Sequence, residues 1–182
     1  MTLEALALQG NSTIYGSMAA NISSRISEIR KDFIKNCFTD FRGCGHRLEF
    51  VANIHGIEFI DDSRATNVNS TWFALESMNK PVILIAGGSD YENSYEMLKP
   101  LILKKVKAII WLGQNSHRMI KVLSNTVIPF ATTKSMQEAV ETAYSNGRVG
   151  DVILLSPGCP SFELFSDFED RGREFKLEVK KL

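Results

Sequence analysis

Asp61-Asp62-Ser63-Arg64-Ala65-Thr66-Asn67 packs two carboxylates, two hydroxyls, a guanidinium and an amide into one short stretch broken by a single alanine. Apolar Ile57, Phe59 and Ile60 precede it, and helical spacing begins at Val68. Ser63, Thr66 and Asn67 are all able to cap that helix. Polar side chains at a strand end and a helix start suit a small polar or anionic ligand, because orphan N–H groups and the helix dipole favour negative charge there. An ordinary capped loop with solvated charges is the alternative reading of the same residues.

Two more polar stretches interrupt the chain in the same way, Gly87–Asn93 and Ser156–Ser161. The first follows a continuous apolar run, Pro81–Ala86, of the kind that forms a parallel strand covered on both faces, and the second follows Asp151–Leu155, read as the last buried strand. Neither G-x-G-x-x-G with its distal acid nor G-x-x-x-x-G-K-[ST] occurs, so the sequence carries no dinucleotide fingerprint and no P-loop.

The elements that must position these loops are readable from apolar spacing. Arg47–Ile54 alternates, with Leu48, Phe50, Ala52 and Ile54 expected on the inner face. His55-Gly56 turns it into Ile57–Ile60 as a β-hairpin. Helices are expected over Val68–Met78, Ser94–Lys104, Asn115–Leu123, Ser135–Asn146 and Glu163–Lys180, the last with a break near Gly172. Strands are expected at Ala108–Gly113 and Val127–Phe130. Ser135 with Glu138 reads as a capping box. This rhythm predicts an α/β fold, a Rossmann-like, doubly wound and mainly parallel sheet with an N-terminal β-hairpin. Right-handed crossovers then bring the three polar loops to one sheet edge. Residues 1–45 read as a short helical lead-in and 46–182 as the α/β body, with Phe41–Gly45 breaking the pattern between them.

Composition excludes several classes. Lysine plus arginine equals aspartate plus glutamate at 21 each, which gives no electrostatic reason to expect nucleic acid or an anionic membrane. Cys37, Cys44 and Cys159 are odd in number and form no C-x-x-C, as suits reduced thiols in a cytoplasm. His46, His55 and His117 lack metal-ligand spacing, so no metal site is expected. There is no apolar run of membrane-spanning length and no signal-peptide pattern at the N-terminus.

His46-Arg47-Leu48-Glu49, Asp62–Asn67, Gly87-Gly88, Gly150–Pro157 and the ending Ser161-Phe162, Phe165, Phe168–Gly172 together resemble the C-terminal domain of the Mur ligases, nearest to the branch that adds D-glutamate. Residues 3–45 resemble the tail of the central domain of those enzymes. The resemblance implies part of an ATP-dependent ligase of peptidoglycan synthesis. In that family ATP phosphorylates a carboxylate of a nucleotide-linked muramoyl peptide, and the amine of the incoming amino acid attacks the acyl phosphate. It implies that ATP and magnesium serve the full-length family, with most of their ligands in N-terminal and central domains that this chain does not contain. No cofactor is expected on this chain alone. By resemblance His46, Arg47 and Asp62 lie near the nucleotide. D-glutamate, or a similar small acidic ligand, meets Arg64, Thr66, Ser161 and Phe162, with Phe168 as an apolar wall.

The departures fall on those same positions. Arg64 stands where the family usually has lysine, keeping the charge but changing its shape. Tyr91 stands where a lysine usually grips the side-chain carboxylate of D-glutamate, so its role is doubtful. Ser12-Thr13-Ile14-Tyr15-Gly16 replaces an asparagine-bearing motif, and Cys159-Pro160 a more usual Cys-Ala. Two readings stay open: a ligase domain that is not catalytically complete alone, or a degenerate, non-catalytic Mur-like module that binds another small polar ligand.

Overall fold

The computed structural model describes residues 45–88, 94–114, 116–124 and 126–182, together with Gly16 and Met18. The chain divides into two units, Met1–Gly43 and Cys44–Leu182, and the fold below is that of the second. Apart from Gly16 and Met18, both helical and exposed, the expected helical lead-in lies outside the described residues, as do Ser12–Tyr15 and Tyr91.

Strands β1 (Glu49–Ile54) and β2 (Ile57–Asp61) form the hairpin, followed by helix α1 (Val68–Ser77) and strand β3 (Val82–Ala86). A short 3-10 turn at Glu96–Leu98 leads into α2 (Lys99–Lys105), β4 (Val106–Leu112), α3 (His117–Leu123) and β5 (Phe130–Thr133). Helix α4 (Met136–Asn146), β6 (Val152–Leu155) and α5 (Phe168–Val179) complete the chain. The six strands lie in the order β1-β2-β6-β3-β4-β5. Only the β1–β2 pairing is antiparallel.

Two apolar layers sandwich this sheet. Val68, Leu75, Ile102, Met119 and Val122 from α1, α2 and α3, with Leu98 of the 3-10 turn, pack on one face against Leu84, Ile109, Trp111 and Leu154. Met136, Val140 and Ala143 of α4 and Phe175 and Val179 of α5 pack on the other, against Phe59, Ile83, Ile85 and Ile153. Alternate residues of each central strand feed opposite layers, so β3 and β6 are buried throughout and read as unbroken apolar runs.

The chain leaves β2 and β3 toward the first layer, but leaves β6 toward the second. Neighbouring strands that part in this way open a crevice beyond their C-terminal ends. That crevice lies at β2, β6 and β3, where the three polar loops begin.

Four expectations need correction. Phe50 is 60% exposed, because the β1–β2 register shifts between Phe50 and Ala52. The bulge turns Val51, Ala52 and Ile54 toward the second layer while Leu48 stays with the first. The fifth strand is Phe130–Thr133, not Val127–Phe130, and Val127 is fully exposed. Helix α5 starts at Phe168, where Asp167 accepts the Asp170 amide at 2.6 Å, and residues 161–167 are turn. It runs unbroken through Gly172.

The caps follow the sequence more closely. Asn67 caps α1 through the Ser70 amide at 3.0 Å, and Ser135 caps α4 through the Glu138 amide at 3.2 Å.

Candidate functional site

Backbone hydrogen bonds stitch the three loops into one rim. Asp62 N donates to Leu155 O, Ser156 N to Ile85 O, Gly87 N to Pro157 O and Gly158 N to Ala65 O, all between 2.8 and 3.1 Å. Gly88 has φ of +133°, and a Cβ there would come within 2.6 Å of the Pro160 carbonyl oxygen. Only glycine lets the two loops approach this closely.

Asp62 is the buried acid of this rim. Its carboxyl accepts from Ser156 Oγ at 2.7 Å and from Leu48 N at 3.3 Å. Burial pushes it up to about 7, against the opposing pull of those hydrogen bonds and of Arg47. When Asp62 holds its proton, it can donate to Ser156 Oγ, whose own hydrogen then reaches Thr71 Oγ1 at 3.1 Å.

Asp61 points to the opposite face of β2 and is fully buried. It pairs with His46 Nδ1 at 2.7 Å and lies 3.5 Å from Lys176 Nζ, while Ser63 N donates to its other oxygen at 2.9 Å. His46 N and Lys176 Nζ both donate to Glu49 Oε2, at 2.8 and 2.7 Å. His46, Glu49 and Asp61 offer three potential metal-ligand atoms within 4.8 Å of one another, a grouping that sequence spacing did not suggest. Lys176 already contacts both carboxylates, so the cluster reads as a salt-bridge network. It also explains Gly172. A Cβ on that residue would strike His46 Nδ1 and come within 2.8 Å of Asp61 Oδ2.

Arg171 is the buried cation. It is 1% exposed, and burial lowers its guanidinium to about 10, which leaves it charged at neutral pH. Nε donates to Ser63 Oγ at 3.0 Å, Nη2 to Ser63 O at 2.8 Å and Nη1 to Cys159 O at 3.1 Å. Ser63 Oγ in turn donates to Phe168 O at 2.7 Å. A recess beside it is lined by Gly87, Gly88, Leu112, Ser161, Leu164, Phe165 and Arg171.

The expected site residues gather around these groups. Arg64 is exposed, with its guanidinium carbon 5.4 Å from the Phe168 ring centroid, a cation–π distance. Thr66 is half-buried in the turn formed by Ala65 N to Asp62 O and Thr66 N to Arg64 O. Ser161 is buried and its carbonyl accepts from Leu164 N and Phe165 N, whereas Phe162 is 77% exposed. His46 sits edge-on to Phe168, with centroids 6.4 Å apart, and Arg64 N donates to His46 O. Arg47 is exposed next to this junction.

Sequence reading missed Arg171, Ser63, Ser156, Glu49, Lys176 and Gly172. For Arg171 a signal existed. Phe168, Arg171, Phe175 and Val179 follow helical spacing, so a charge stands in the stripe that should be apolar.

Comparison with known proteins agrees with this geometry. Residues 46–159 match the family described as "Mur ligase, glutamate ligase domain". The chain is 46% identical over 182 residues to UDP-N-acetylmuramoylalanine--D-glutamate ligase of Christiangramia forsetii, and 43% identical over 183 residues to the enzyme of that name from Bacteroides fragilis. Both alignments take in the whole chain and 41% of the relative, so the chain spans about two fifths of the length of these curated relatives. A MurF ligase from Thermotoga maritima in complex with ADP shares the fold, with a TM-score of 0.64 at 11% identity over 94% of this chain and 39% of its own.

Proposed function

Because the chain belongs to the Mur ligase family and carries its glutamate ligase domain, we propose that it is the amino-acid-presenting part of an ATP-dependent ligase adding D-glutamate to UDP-N-acetylmuramoyl-L-alanine. The observation that carries this reading is the stitched rim at β2, β6 and β3. It assembles Arg64, Thr66, Ser161, Phe162 and Phe168 around buried Arg171.

On this reading an acidic amino acid lies across the rim. Arg64 supplies a full positive charge, Thr66 a hydroxyl and Ser161 a buried hydroxyl, while Phe168 closes one side. Residues 1–45 are the tail of the central domain, and that domain provides the P-loop missing from this sequence. Bound ATP supplies the phosphoryl group that activates the acceptor carboxylate. Exposed Arg47 fits a phosphate through its planar fork. Asp62 fits the nucleotide less directly, because Ser156 and Leu48 already engage its oxygens. It fixes the backbone immediately after Arg47 instead. The thiol content and the substrates of such a ligase support a cytoplasmic location.

The test joins or mixes this chain with its P-loop partner domain and follows phosphate release. The expected result is release that requires both D-glutamate and the UDP-linked acceptor. Release indifferent to D-glutamate would overturn the assignment and favour the degenerate binding module. Tyr91→Lys combined with Arg64→Lys, which restores the family's usual cations, is expected to tighten D-glutamate binding.

A further inference from the structure

Arg171 poses a problem of cost. A guanidinium this deeply buried ordinarily sits against a carboxylate, because desolvating an unpaired charge is expensive. Here every acceptor of its fork is neutral, one serine hydroxyl and two backbone carbonyls, and the carboxylates of Asp61 and Asp62 act on it only through space. An apolar side chain in the same slot of the α5 stripe would avoid that desolvation, but would leave those three acceptors without their donor. The arginine must therefore be judged by what its fork joins.

It joins three separate segments. Ser63 O and Oγ belong to the turn that carries Arg64 and Thr66. Cys159 O belongs to the loop that carries Ser161 and Phe162. Through Ser63 Oγ the chain of bonds reaches Phe168 O, and Phe168 is the wall under Arg64.

We propose that Arg171 is the positioning residue of the acidic amino-acid subsite. Its planar fork sets the spacing between the Arg64–Thr66 turn, the Ser161–Phe162 turn and Phe168, without itself touching the ligand. This rests on the reading that those segments hold an acidic amino acid. A lysine keeps the charge but donates from one point, and so cannot span Ser63 and Cys159 together. Displacements of about 1 Å between contact groups are enough to cost an order of magnitude or more in function.

Two variants of the 182-residue chain test this, Arg171→Lys and Ser63→Ala. The second removes the Arg171 Nε bond to Ser63 Oγ and the link from that hydroxyl to Phe168, and leaves the guanidinium two carbonyl acceptors. Amide hydrogen exchange provides a readout that needs no ligand. Exchange at Arg64 and Ala65 in one loop and at Gly158 and Phe165 in the other is expected to accelerate together by about tenfold, with β3 and β4 unchanged. Calorimetry with D- and L-glutamate provides the second readout. D-glutamate affinity is expected to fall by about tenfold or more in both variants, and D-over-L discrimination to shrink, with both variants still unfolding in a single cooperative transition.

Acceleration confined to one loop, or unchanged affinity and discrimination in both variants, would overturn the positioning role. Should Arg171→Lys not fold, Ser63→Ala decides alone. If the unmodified chain binds no D-glutamate, the functional reading fails, while the exchange pattern still reports whether the clamp exists.

Discussion

At the N-terminal end of the sheet, charge is settled locally. Lys107 pairs with Asp151, and Lys80 lies 2.8 Å from Glu58. Lys105 Nζ caps α1 through the carbonyls of Leu75, Glu76 and Met78. The C-terminal end is built differently. Asp62 and Arg171 are both buried there, yet each is bonded only to neutral groups and neither to the other. One end uses charge to finish the fold. Beyond the Asp61–His46–Lys176 cluster, the other end holds Asp62 in a loop and Arg171 in α5 without direct pairing, an arrangement that suits a zwitterionic or anionic ligand.

The contrast breaks most sharply at Arg171. Arg171→Met strands three buried acceptors, and each such group costs about 1–3 kcal/mol. Denaturant unfolding is expected to show a loss of about 3 kcal/mol or more. A loss below about 1 kcal/mol would mean that the C-terminal end is no more demanding than the other.

Asp62 gives the next largest effect, and its sign is fixed. Its folded value of about 7 lies above its ordinary 3.8, so the folded chain binds the proton more tightly than the unfolded one. The stability it contributes is complete below 3.8 and is lost as pH rises through about 7. Asp62→Asn is expected to flatten this part of the stability–pH curve, by at most a few kcal/mol across the window. An unchanged slope would place the dependence elsewhere.

Gly172→Ala sharpens the comparison through geometry. In an open helix the change gains about 1 kcal/mol. Against His46 and Asp61 it is expected to cost about 1–3 kcal/mol and to shift the His46 ring resonances. Stabilisation by Gly172→Ala would show that the contact is not tight. The smallest effect belongs to the N-terminal end. Lys80→Ala removes a solvent-screened pair and is expected to cost less than about 1 kcal/mol, falling further with added salt.

What could be read in advance divides along physical lines. β3, β4 and β6 announce themselves because both their faces are buried, so the apolar run reports them without reference to neighbours. β5 does not. Phe130–Thr133 contains two threonines and becomes a strand by pairing with Ile109–Leu112, a tertiary event. Phe50 was misplaced for a related reason, since alternation cannot show a bulge that its partner strand imposes. In the candidate site, the polar residues of Asp61–Asn67 were legible as a cluster in a loop. The roles of Arg171 and Gly172 were not, because in the sequence the arginine is only one member of a motif and the glycine reads as a helix break. Their meaning comes from Ser63, Cys159 and His46, which lie more than ten residues away along the chain.

The most direct test of the central claim is an amide NMR titration of the 182-residue chain with D-glutamate. Saturable shifts confined to Arg64–Thr66, Gly88, Ser161–Phe162 and Phe168 are the predicted result. No shifts at tens of millimolar ligand, or shifts at Glu58, Lys107 and Asp151 on the opposite end of the sheet, would contradict it.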